Sequence, residues 1–259
     1  MNESQISGFY RLDVRQRINL LEERGLLSPD DAAALREGRH VLLPAQADKV
    51  IENVIGVFGL PFAIAPNFIV NGIGRLAPMV VEEPSIVAGL SSAAALAKRS
   101  GGFEVESAGS LLIGQVHVTG MTDPDHAISA IENAKRDLLA AANAVHPRLA
   151  ERGGGVRDIE LRLFALPGGA PLLAIHVLVD TCDAMGANLV NSICEAVAPD
   201  IAAVCEGEVA LRILSNLSDR SLFTARAHFA LDAEVSRGIA LANDIALVDP
   251  YRATTHNKG

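Results

Sequence analysis

Three short stretches of the 259-residue chain combine residue types that can carry chemistry. VVEEPS (80–85) presents two adjacent carboxylates, which can move protons. DTCDAMGAN (180–188) mixes acidic residues with small ones that leave the backbone open to a ligand. DPYRATTHNKG (249–259) sets an arginine and a lysine among small polar residues, and both cations can hold an anionic substrate. Proton transfer and anion binding are therefore the chemistry that the rest of the fold must position.

The paired carboxylates Glu82 and Glu83 follow an apolar run and precede Pro84, a residue typical of the first turn of a helix. If one carboxylate is buried, its pKa is raised and it can donate a proton near neutral pH. If both are solvated, they only interact favourably with the helix dipole. The sequence leaves both interpretations open.

The DTCDAMGAN stretch follows a strand-like run and predicts a helix that begins at Asp183. Backbone N–H groups and the positive dipole of a helix N-terminus suit a pyrophosphate, and small residues let it approach. The stretch is not GxGxxG, so a Rossmann domain is not predicted. An Asp-capped helix with small residues chosen for packing is the alternative.

Other candidate sites are weaker. The seven histidines form no HxH or HxxxH pair, so no metal site is predicted. His117 and His176 alternate within strand-like runs, which favours hydrogen-bonded structural residues. RGGGVRD (152–158) is typical of a helix end followed by a turn.

The composition bears on partners and compartment. A formal net charge of −9 argues against nucleic acid, because phosphate-backbone binding needs clustered cations. The three cysteines contain no CxxC pair, and the polar N-terminus carries no apolar signal region. We therefore expect a reduced, cytoplasmic protein.

One segment has the length of a membrane span. Residues 53–74 carry no charged side chain, but they include Pro61, Pro66 and several glycines. A lipid-exposed helix would leave backbone groups unsatisfied at such residues. We therefore predict a buried strand-and-loop segment and no membrane partner.

The elements that must position these stretches can be read from the apolar periodicity. Polar helices are predicted over 12–37, with an N-cap at Ser28, and a helix runs from Pro84 to the glycines at 101 and 102. From residue 111 the order is strand, helix, strand, strand, helix, strand. This order is typical of a ferredoxin-like domain. The predicted class is α+β, with a small cofactor domain at 108–216 inserted in a larger, mixed helical substrate domain made of 1–107 and 217–259.

Six stretches of this sequence together resemble the bacterial class II 3-hydroxy-3-methylglutaryl-coenzyme A (HMG-CoA) reductases. The resemblance covers nearly the whole chain, and DAMGAN combined with HNKG is highly specific. The stretches occur in the order of the family, at nearly its spacing: ENVIG (52–56), VEEPSIVA (81–88), RGGGVRD (152–158), DAMGAN (183–188), RILSNL (212–217) and DPYRATTHNKG (249–259).

The resemblance implies an oxidoreductase of isoprenoid metabolism that converts HMG-CoA to mevalonate and CoA, or the reverse, with two nicotinamide cofactors per turnover. It implies that Glu83 donates or relays a proton at the substrate oxygen. It also implies that Lys258 stabilises the oxyanion, a task suited to an ammonium in a closed site. Ser85 and Arg252 match contacts to the substrate carboxylate, and Asn216 matches an active-site amide.

The resemblance also assigns the cofactor and CoA contacts. Arg11 matches a residue that reaches a CoA phosphate. A relative that prefers NADH has an aspartate near the position of His146, whereas His146 and Arg148 would not repel a 2′-phosphate. We therefore expect NADPH to be tolerated beside NADH. The matched dinucleotide-binding segment consists of Asp183, Ala184, Met185, Gly186, Ala187 and Asn188.

Two further expectations concern assembly and the end of the chain. Family members are dimers or larger assemblies with the active site between subunits, so a homodimer or higher homo-oligomer is expected. The family continues beyond HNKG with an aspartate that contacts the lysine and a histidine that protonates the CoA thiolate. We therefore expect the 259-residue chain alone to be an inactive or nearly inactive fragment. The alternative is a catalytically dead module that still binds CoA or a dinucleotide.

Overall fold

The computed structural model describes residue 6 and residues 8–256. The chain forms two compact units, each a mixture of helices and strands around one four-stranded sheet. The first unit consists of Met1–Val105 and Ala225–Gly259, and the second of Glu106–Thr224. The sequence prediction placed the second boundary at residue 216. In the structure residues 217–224 belong to the second unit, where Arg220 pairs with Glu160 at 2.9 Å.

The first unit begins with helices and continues with a hairpin. Strands β1 and β2 are antiparallel, and Asn71 and Gly72, both with positive φ, form the turn between them. The sheet order is β2-β1-β3-β8. The elements in chain order are a 3-10 helix (Phe9–Arg11), α1 (Val14–Glu23), α2 (Pro29–Glu37), α3 (Pro44–Ala47), β1 (Phe62–Val70), β2 (Ile73–Val80), α4 (Ile86–Lys98), β3 (Phe103–Ser107) and, after the second unit, β8 (Phe223–Ala227), α8 (Ala233–Val248) and α9 (Pro250–His256).

The second unit contains one antiparallel sheet with the strand order β5-β6-β4-β7. Its two long helices, α5 and α7, pack on this sheet and on each other. The elements are β4 (Leu111–Thr119), α5 (Pro124–Ala144), α6 (Pro147–Glu151), β5 (Gly155–Ala165), β6 (Pro171–Asp180), α7 (Ala187–Cys205) and β7 (Glu208–Ser215).

The core of the second unit follows from the alternation of its strands. Side chains at odd positions of β6 and even positions of β4 point to the helices, because successive strand residues face opposite sides. β6 is buried on both faces from Leu173 to Val179. The largest fully buried side chains of this core are Ile131, Leu173, Ile175, Ile193, Ile201, Val116, Val118, Val177, Val179, Val190 and Cys194.

Two helix starts differ from the sequence prediction. The Ser28 cap is confirmed, since its hydroxyl accepts a hydrogen bond from the Asp31 N–H at 3.1 Å. Helix α4, however, begins at Ile86 and not at Pro84, and α7 begins at Ala187 and not at Asp183. In both cases the residue before the helix, Ser85 or Gly186, has a left-handed backbone. A right-handed helix cannot include such a residue, so it begins at the residue that follows.

The charge-free segment 53–74 is only partly the buried strand-and-loop that we predicted. β1 and the following turn lie in its second half. Residues 54–61 have no regular structure, and apolar side chains such as Ile55 and Phe58 are exposed. The prediction of burial is therefore wrong for this half, because no other part of the described chain covers it. No helix among the described residues is long and apolar enough to cross a membrane.

The last described residues of the chain are helical, which the sequence analysis did not predict. Asp249 precedes α9, and its side chain accepts a hydrogen bond from the Tyr251 N–H at 2.9 Å. The hydroxyl of Thr254 donates to the Pro250 carbonyl at 2.8 Å, one turn back. The arginine of this segment, Arg252, therefore lies on a helix.

Candidate cofactor cleft and substrate residues

The second unit contains a cleft of about 340 Å³. It lies between the corner that joins α5 to α6 and the turn that joins β6 to α7. Three predicted cofactor residues line it together: His146, Arg148 and Ala184. The full lining is Val145, His146, Pro147, Arg148, Leu149, Arg152, Thr181, Ala184 and Leu189.

The polar groups of the cleft suit an anion. His146, Arg148 and Arg152 contribute nitrogen donors, and the lining residues named above include no carboxylate. The Nε2 atom of His146 is buried and has no hydrogen-bond partner among the described residues. A buried polar atom without a partner costs free energy unless a ligand or water satisfies it. The cleft therefore fits a ligand with both apolar surface and negative charge.

The turn between β6 and α7 forms one wall of the cleft, and side-chain hydrogen bonds fix its shape. The Asp180 carboxylate accepts from the Cys182 N–H at 3.0 Å, and Cys182 has a positive φ of 54°. This hydrogen bond, together with the one from Arg157, lowers the pKa of Asp180. The Thr181 hydroxyl donates to the Ala184 carbonyl at 2.9 Å. The turn is thus held in one conformation before any ligand binds.

Gly186 is the last residue of this turn, and a residue with a side chain would not fit there. Its φ is 82°, and a Cβ there would lie 2.5 Å from the Thr181 Cγ2 and 2.9 Å from the Leu112 Cδ1. No side chain caps α7, so the alternative of an Asp-capped helix is wrong. Asp183 instead pairs with Arg152 at 2.7 Å. Met185 is 81% exposed, and neither it nor Asn188 belongs to the lining described above.

The opposite wall, at the corner between α5 and α6, is held by Asn143. The side chain of Asn143 hydrogen-bonds the backbone of β5 as a neighbouring strand would. The Asn143 side chain accepts from the Val156 N–H at 2.8 Å and donates to the Val156 carbonyl at 3.1 Å. This double hydrogen bond ties the end of α5 to the start of β5. It leaves no room at Gly155, where a Cβ would lie 2.3 Å from the Asn143 Oδ1.

We interpreted the glycines of RGGG as a helix end followed by a turn, but they also allow close packing. At Gly154 a Cβ would lie 2.7 Å from both the Asp180 carbonyl oxygen and the Leu149 side chain. Gly154 thus permits α6 to pack closely against the end of β6. The two walls of the cleft meet at these glycines.

Glu83 and Ser85 lie together in the turn between β2 and α4 of the first unit. Both Glu82 and Glu83 are exposed, so the buried carboxylate that we considered is not the arrangement of this chain. Ser85 has φ 71° and ψ −15°, and its hydroxyl makes no capping hydrogen bond to α4. A left-handed conformation is costly for a residue with a Cβ, and such strain occurs preferentially at functional sites.

The remaining predicted substrate residues lie on other elements. In the first unit Arg11 is exposed at the end of the 3-10 helix, with its Nε donating to the Tyr10 hydroxyl at 3.0 Å. Arg252 is exposed on α9. Asn216 is exposed directly after β7 in the second unit. Lys258 lies outside the described residues.

Two histidines, the buried His176 and the half-buried His117, lie on the sheet of the second unit, away from the cleft lining. Nε2 of His176 lies 2.9 Å from the Gln115 amide nitrogen, but Nδ1 of both His117 and His176 is buried without a partner among the described residues. Our interpretation as fully hydrogen-bonded residues is therefore wrong for these atoms. Burial lowers the pKa of both imidazoles. The described residues contain no cluster of three potential metal ligands.

Six lining residues were absent from the predicted site, among them Arg152, Thr181 and Leu189. Arg152 opens the RGGGVRD stretch, so the signal was present and was assigned only to a turn. Thr181 and Leu189 have no distinguishing sequence pattern, because their role comes from the packing of α7 against the turn.

The two-sheet architecture is that of a mixed α and β protein, and comparison with known proteins places it in a family. The family model of hydroxymethylglutaryl-coenzyme A reductase matches residues 13–259. The chain belongs to the hydroxymethylglutaryl-coenzyme A reductase family.

Two relatives show how much of the family protein is represented. The chain is 45% identical over 262 residues to the 3-hydroxy-3-methylglutaryl-coenzyme A reductase of Archaeoglobus fulgidus, covering 99% of this chain and 59% of the relative. It is 33% identical over 225 residues to a probable reductase of Borreliella burgdorferi, covering 81% of this chain and 49% of the relative. The chain thus spans about half the length of these relatives.

Solved structures agree with this placement. The reductase of Streptococcus pneumoniae is similar with a TM-score of 0.91 and 37% identity, covering 97% of this chain and 61% of that one. A structure of the class II enzyme from the same organism, bound to NADPH in open conformations, has a TM-score of 0.87 at 37% identity. It covers 97% of this chain and 70% of that one.

Proposed function

We propose that the protein is an HMG-CoA reductase. The reaction converts HMG-CoA, two NAD(P)H and two protons into mevalonate, two NAD(P)⁺ and free CoA thiol, or runs in reverse. The observation that carries the proposal is the cation-lined cleft, formed by the DAMGAN turn and the α5–α6 corner, in a chain of this family.

The second unit is the proposed dinucleotide-binding domain, of ferredoxin-like topology. Support comes from its element order, β4-α5-β5-β6-α7-β7, and from its strand order, β5-β6-β4-β7. A bound nicotinamide dinucleotide supplies the hydride in each of the two reduction steps. His146 and Arg148 would lie at its adenosine end and accept a 2′-phosphate. The Streptococcus pneumoniae relative bound to NADPH supports NADPH beside NADH.

The first unit is the proposed substrate domain. Glu83 would donate or relay a proton at the substrate oxygen, and Lys258 would stabilise the oxyanion. Ser85 and Arg252 would hold the substrate carboxylate, with Asn216 as an active-site amide and Arg11 on a CoA phosphate. The strained Ser85 supports its part of this assignment, because its hydroxyl makes no capping hydrogen bond that would explain the conformation.

The proposed assembly is a homodimer or a higher homo-oligomer in the cytoplasm. Support comes from the apolar side chains that the first unit leaves exposed. Ile55 and Phe58 are examples in the segment before β1, and Leu247 and Val248 are examples at the end of α8. Exposed apolar side chains mark an interaction site where they form a contiguous patch.

Two measurements on the purified protein test this function. Calorimetric titration gives the affinities for NADPH and NADH, and NADPH absorbance follows oxidation that depends on HMG-CoA. We expect both cofactors to bind. HMG-CoA-dependent oxidation would support the reductase proposal and would contradict the expected inactivity of the 259-residue chain alone. Strict NADH dependence would contradict the proposed tolerance of NADPH. Binding without oxidation would agree with the expected inactivity and leave the binding module as the alternative, whereas failure to bind either cofactor would overturn the cofactor assignment.

The Glu83→Gln variant separates catalysis from cofactor binding. Where the unaltered protein oxidises NADPH in the presence of HMG-CoA, the variant should reduce this rate by about 10²–10⁴-fold, the usual contribution of a positioned proton donor. The affinity for NADPH should remain within about twofold, because the proposed role of Glu83 is at the substrate oxygen and not at the cofactor. The matched control is Glu82→Gln, which changes the neighbouring exposed carboxylate and should leave oxidation almost unchanged. Equal losses in both variants would refute the role of Glu83.

A further inference from the structure

Arg152 stands out because it lines the cleft and is already engaged by a carboxylate. One of its terminal nitrogens lies 2.7 Å from the Asp183 carboxylate. Both side chains are largely exposed, at 64% and 79%. Among the cleft-lining cations, Arg152 is thus the one paired with the DAMGAN turn.

The two partners stand on opposite walls, and the backbone of each is fixed. The Arg152 N–H donates to the Leu149 carbonyl at 3.2 Å at the end of α6, and the closely packed Gly154 follows. Asp183 belongs to the turn that Asp180 and Thr181 hold in shape. Only the side chains are free to change partner, and the long arginine side chain can do so without moving either wall.

The energetics favour an exchange of partners. An exposed ion pair contributes about 0–1 kcal/mol, because water screens both charges. A guanidinium forms two parallel hydrogen bonds with a phosphate, which makes that contact stronger and geometrically specific. A phosphate that enters the cleft would therefore compete successfully with the Asp183 carboxylate for Arg152.

We propose that Arg152 is a phosphate ligand of this cleft, and that Asp183 is its partner only while the cleft is empty. This inference rests on the proposed function, since the phosphate belongs to the nicotinamide dinucleotide. Binding transfers Arg152 from Asp183 to the phosphate. Asp183 then acts against affinity, both by holding Arg152 and by repelling the incoming charge.

This proposal predicts opposite effects for the two halves of one ion pair. Arg152→Met, which keeps the length of the side chain but removes its charge, should weaken NADPH binding by about tenfold. Asp183→Asn should strengthen it by about threefold. The double variant should resemble Arg152→Met, because Asp183 acts through the arginine. If the pair only held the turn in shape, both single variants would weaken binding.

The matched control is the ion pair between Lys135 and Asp158, which has the same length of 2.7 Å and lies in the same unit outside the cleft lining. Lys135→Met and Asp158→Asn should each leave the NADPH affinity within about twofold. Melting curves of all variants establish that they are folded. The pairs are at the surface, so large losses of stability are not expected.

Calorimetric titration of the whole chain with NADPH and with NADH decides the outcome. A tenfold loss for NADPH alone would assign Arg152 to the 2′-phosphate, and an equal loss for both cofactors would assign it to the pyrophosphate. Either result supports the proposal. Weaker binding by Asp183→Asn, or unchanged binding by Arg152→Met, overturns it while leaving the cofactor assignment intact. Failure of the unaltered chain to bind either dinucleotide overturns both the cofactor assignment and the role of Arg152.

Discussion

Helices α7 and α8 are both long and rich in aliphatic residues, but they differ in how far these residues are buried. The 19-residue α7 buries Val190, Ile193, Cys194, Val197, Ala198, Ile201 and Cys205 against the sheet of the second unit. The 16-residue α8, which the structure describes throughout, has no buried residue. Its aliphatic side chains at 239, 241, 247 and 248 are more than half exposed.

The different burial of α7 and α8 shows which unit has the larger apolar core. The second unit completes its own core, because two helices cover one face of its sheet. The first unit leaves the apolar side of α8 and the segment before β1 uncovered by the described chain. Exposing apolar surface to water is unfavourable in free energy, and a partner that covers the surface removes this unfavourable contribution. The comparison therefore assigns the larger buried core to the second unit and a long helix with only exposed or half-buried apolar side chains to the first.

The largest expected effect comes from the same substitution in the two helices. Ile201→Ala in α7 removes a side chain that is 0% exposed, and should lower the free energy of unfolding by about 2–5 kcal/mol. Ile239→Ala in α8 removes one that is 57% exposed, and should change it by about 0.5 kcal/mol or less at dilute concentration. Chemical denaturation measures both.

The α8 variant has a second readout. If α8 is covered in an assembly, Ile239→Ala should shift sedimentation towards the smaller species at a concentration where the unaltered protein is assembled. Equal losses of monomer stability in both variants would show that α8 is a core helix and would break the comparison.

A smaller effect is expected from adding one methyl group in each unit. At Gly114 in β4 a Cβ would lie 2.3 Å from the Cys194 sulfur, so Gly114→Ala should destabilise the protein by about 1–3 kcal/mol. At Gly238 in α8 nothing lies within 4 Å, so Gly238→Ala should stabilise it by about 1 kcal/mol through helix propensity. Thermal melting at several protein concentrations compares the two. A loss at Gly238 that grows with concentration would place this residue in the assembled interface.

Ser85 and Gly186 occupy equivalent positions before helices α4 and α7, both with left-handed backbones. Glycine adopts this conformation without a steric cost, whereas serine does not. Ser85→Gly should therefore stabilise the fold by about 0.5–1 kcal/mol, because relief of the left-handed strain exceeds the extra entropy that glycine loses on folding. Ser85→Ala should leave stability nearly unchanged. Urea midpoints distinguish them. If Ser85 holds the substrate carboxylate, both variants should raise the KM for HMG-CoA. No change in KM would remove the functional reason for the strain.

The smallest effect is a dependence of stability on pH that belongs to the second unit. Burial lowers the pKa of His117, and burial together with Arg162 lowers that of His176. The unfolded chain, with an imidazole pKa near about 6.5, takes up protons before the folded one does. Stability should therefore be complete above about pH 6.5 and should fall as the pH drops towards the folded values.

Replacing the half-buried His117 tests this origin of the pH dependence. His117→Gln should reduce the loss of stability between neutral and mildly acidic pH, as measured by denaturation at each pH. His126→Gln, at an exposed position of α5, is the matched control and should keep it. A profile that neither substitution alters would assign the pH dependence to other groups.

The sequence predicted the second unit well because its elements carry strong periodic signals. The β6 run and the apolar stripe of α5 predict strand and helix by themselves, and both elements occur at their place in the predicted order. The starts of α4 and α7 could not be predicted in this way. A left-handed residue before each helix sets them, and at Ser85 no residue preference indicates it.

The site could be predicted only in part. His146 and Arg148 meet Ala184, which comes from a distant stretch, in one cleft, while their role as cofactor residues stays a prediction. The pairing of Arg152 with Asp183 is a tertiary contact between two turns, and no periodicity encodes it. The exposure of the segment at 54–61 was missed because its composition resembles that of a core, and composition does not reveal which molecule covers it.

The interlocked Asn143 and Gly155 have a consequence for redesigning cofactor preference. Any side chain at 155 would displace the amide that joins α5 to β5, and the corner bearing His146 would move with it. The cleft thus has two parts: a rigid frame formed by Asn143, Gly154 and Gly155, and the side-chain tips at 146, 148 and 152, which can be replaced. Libraries that vary the tips and keep the frame should retain folded proteins at high frequency, whereas libraries that include 154 and 155 should be dominated by unfolded ones.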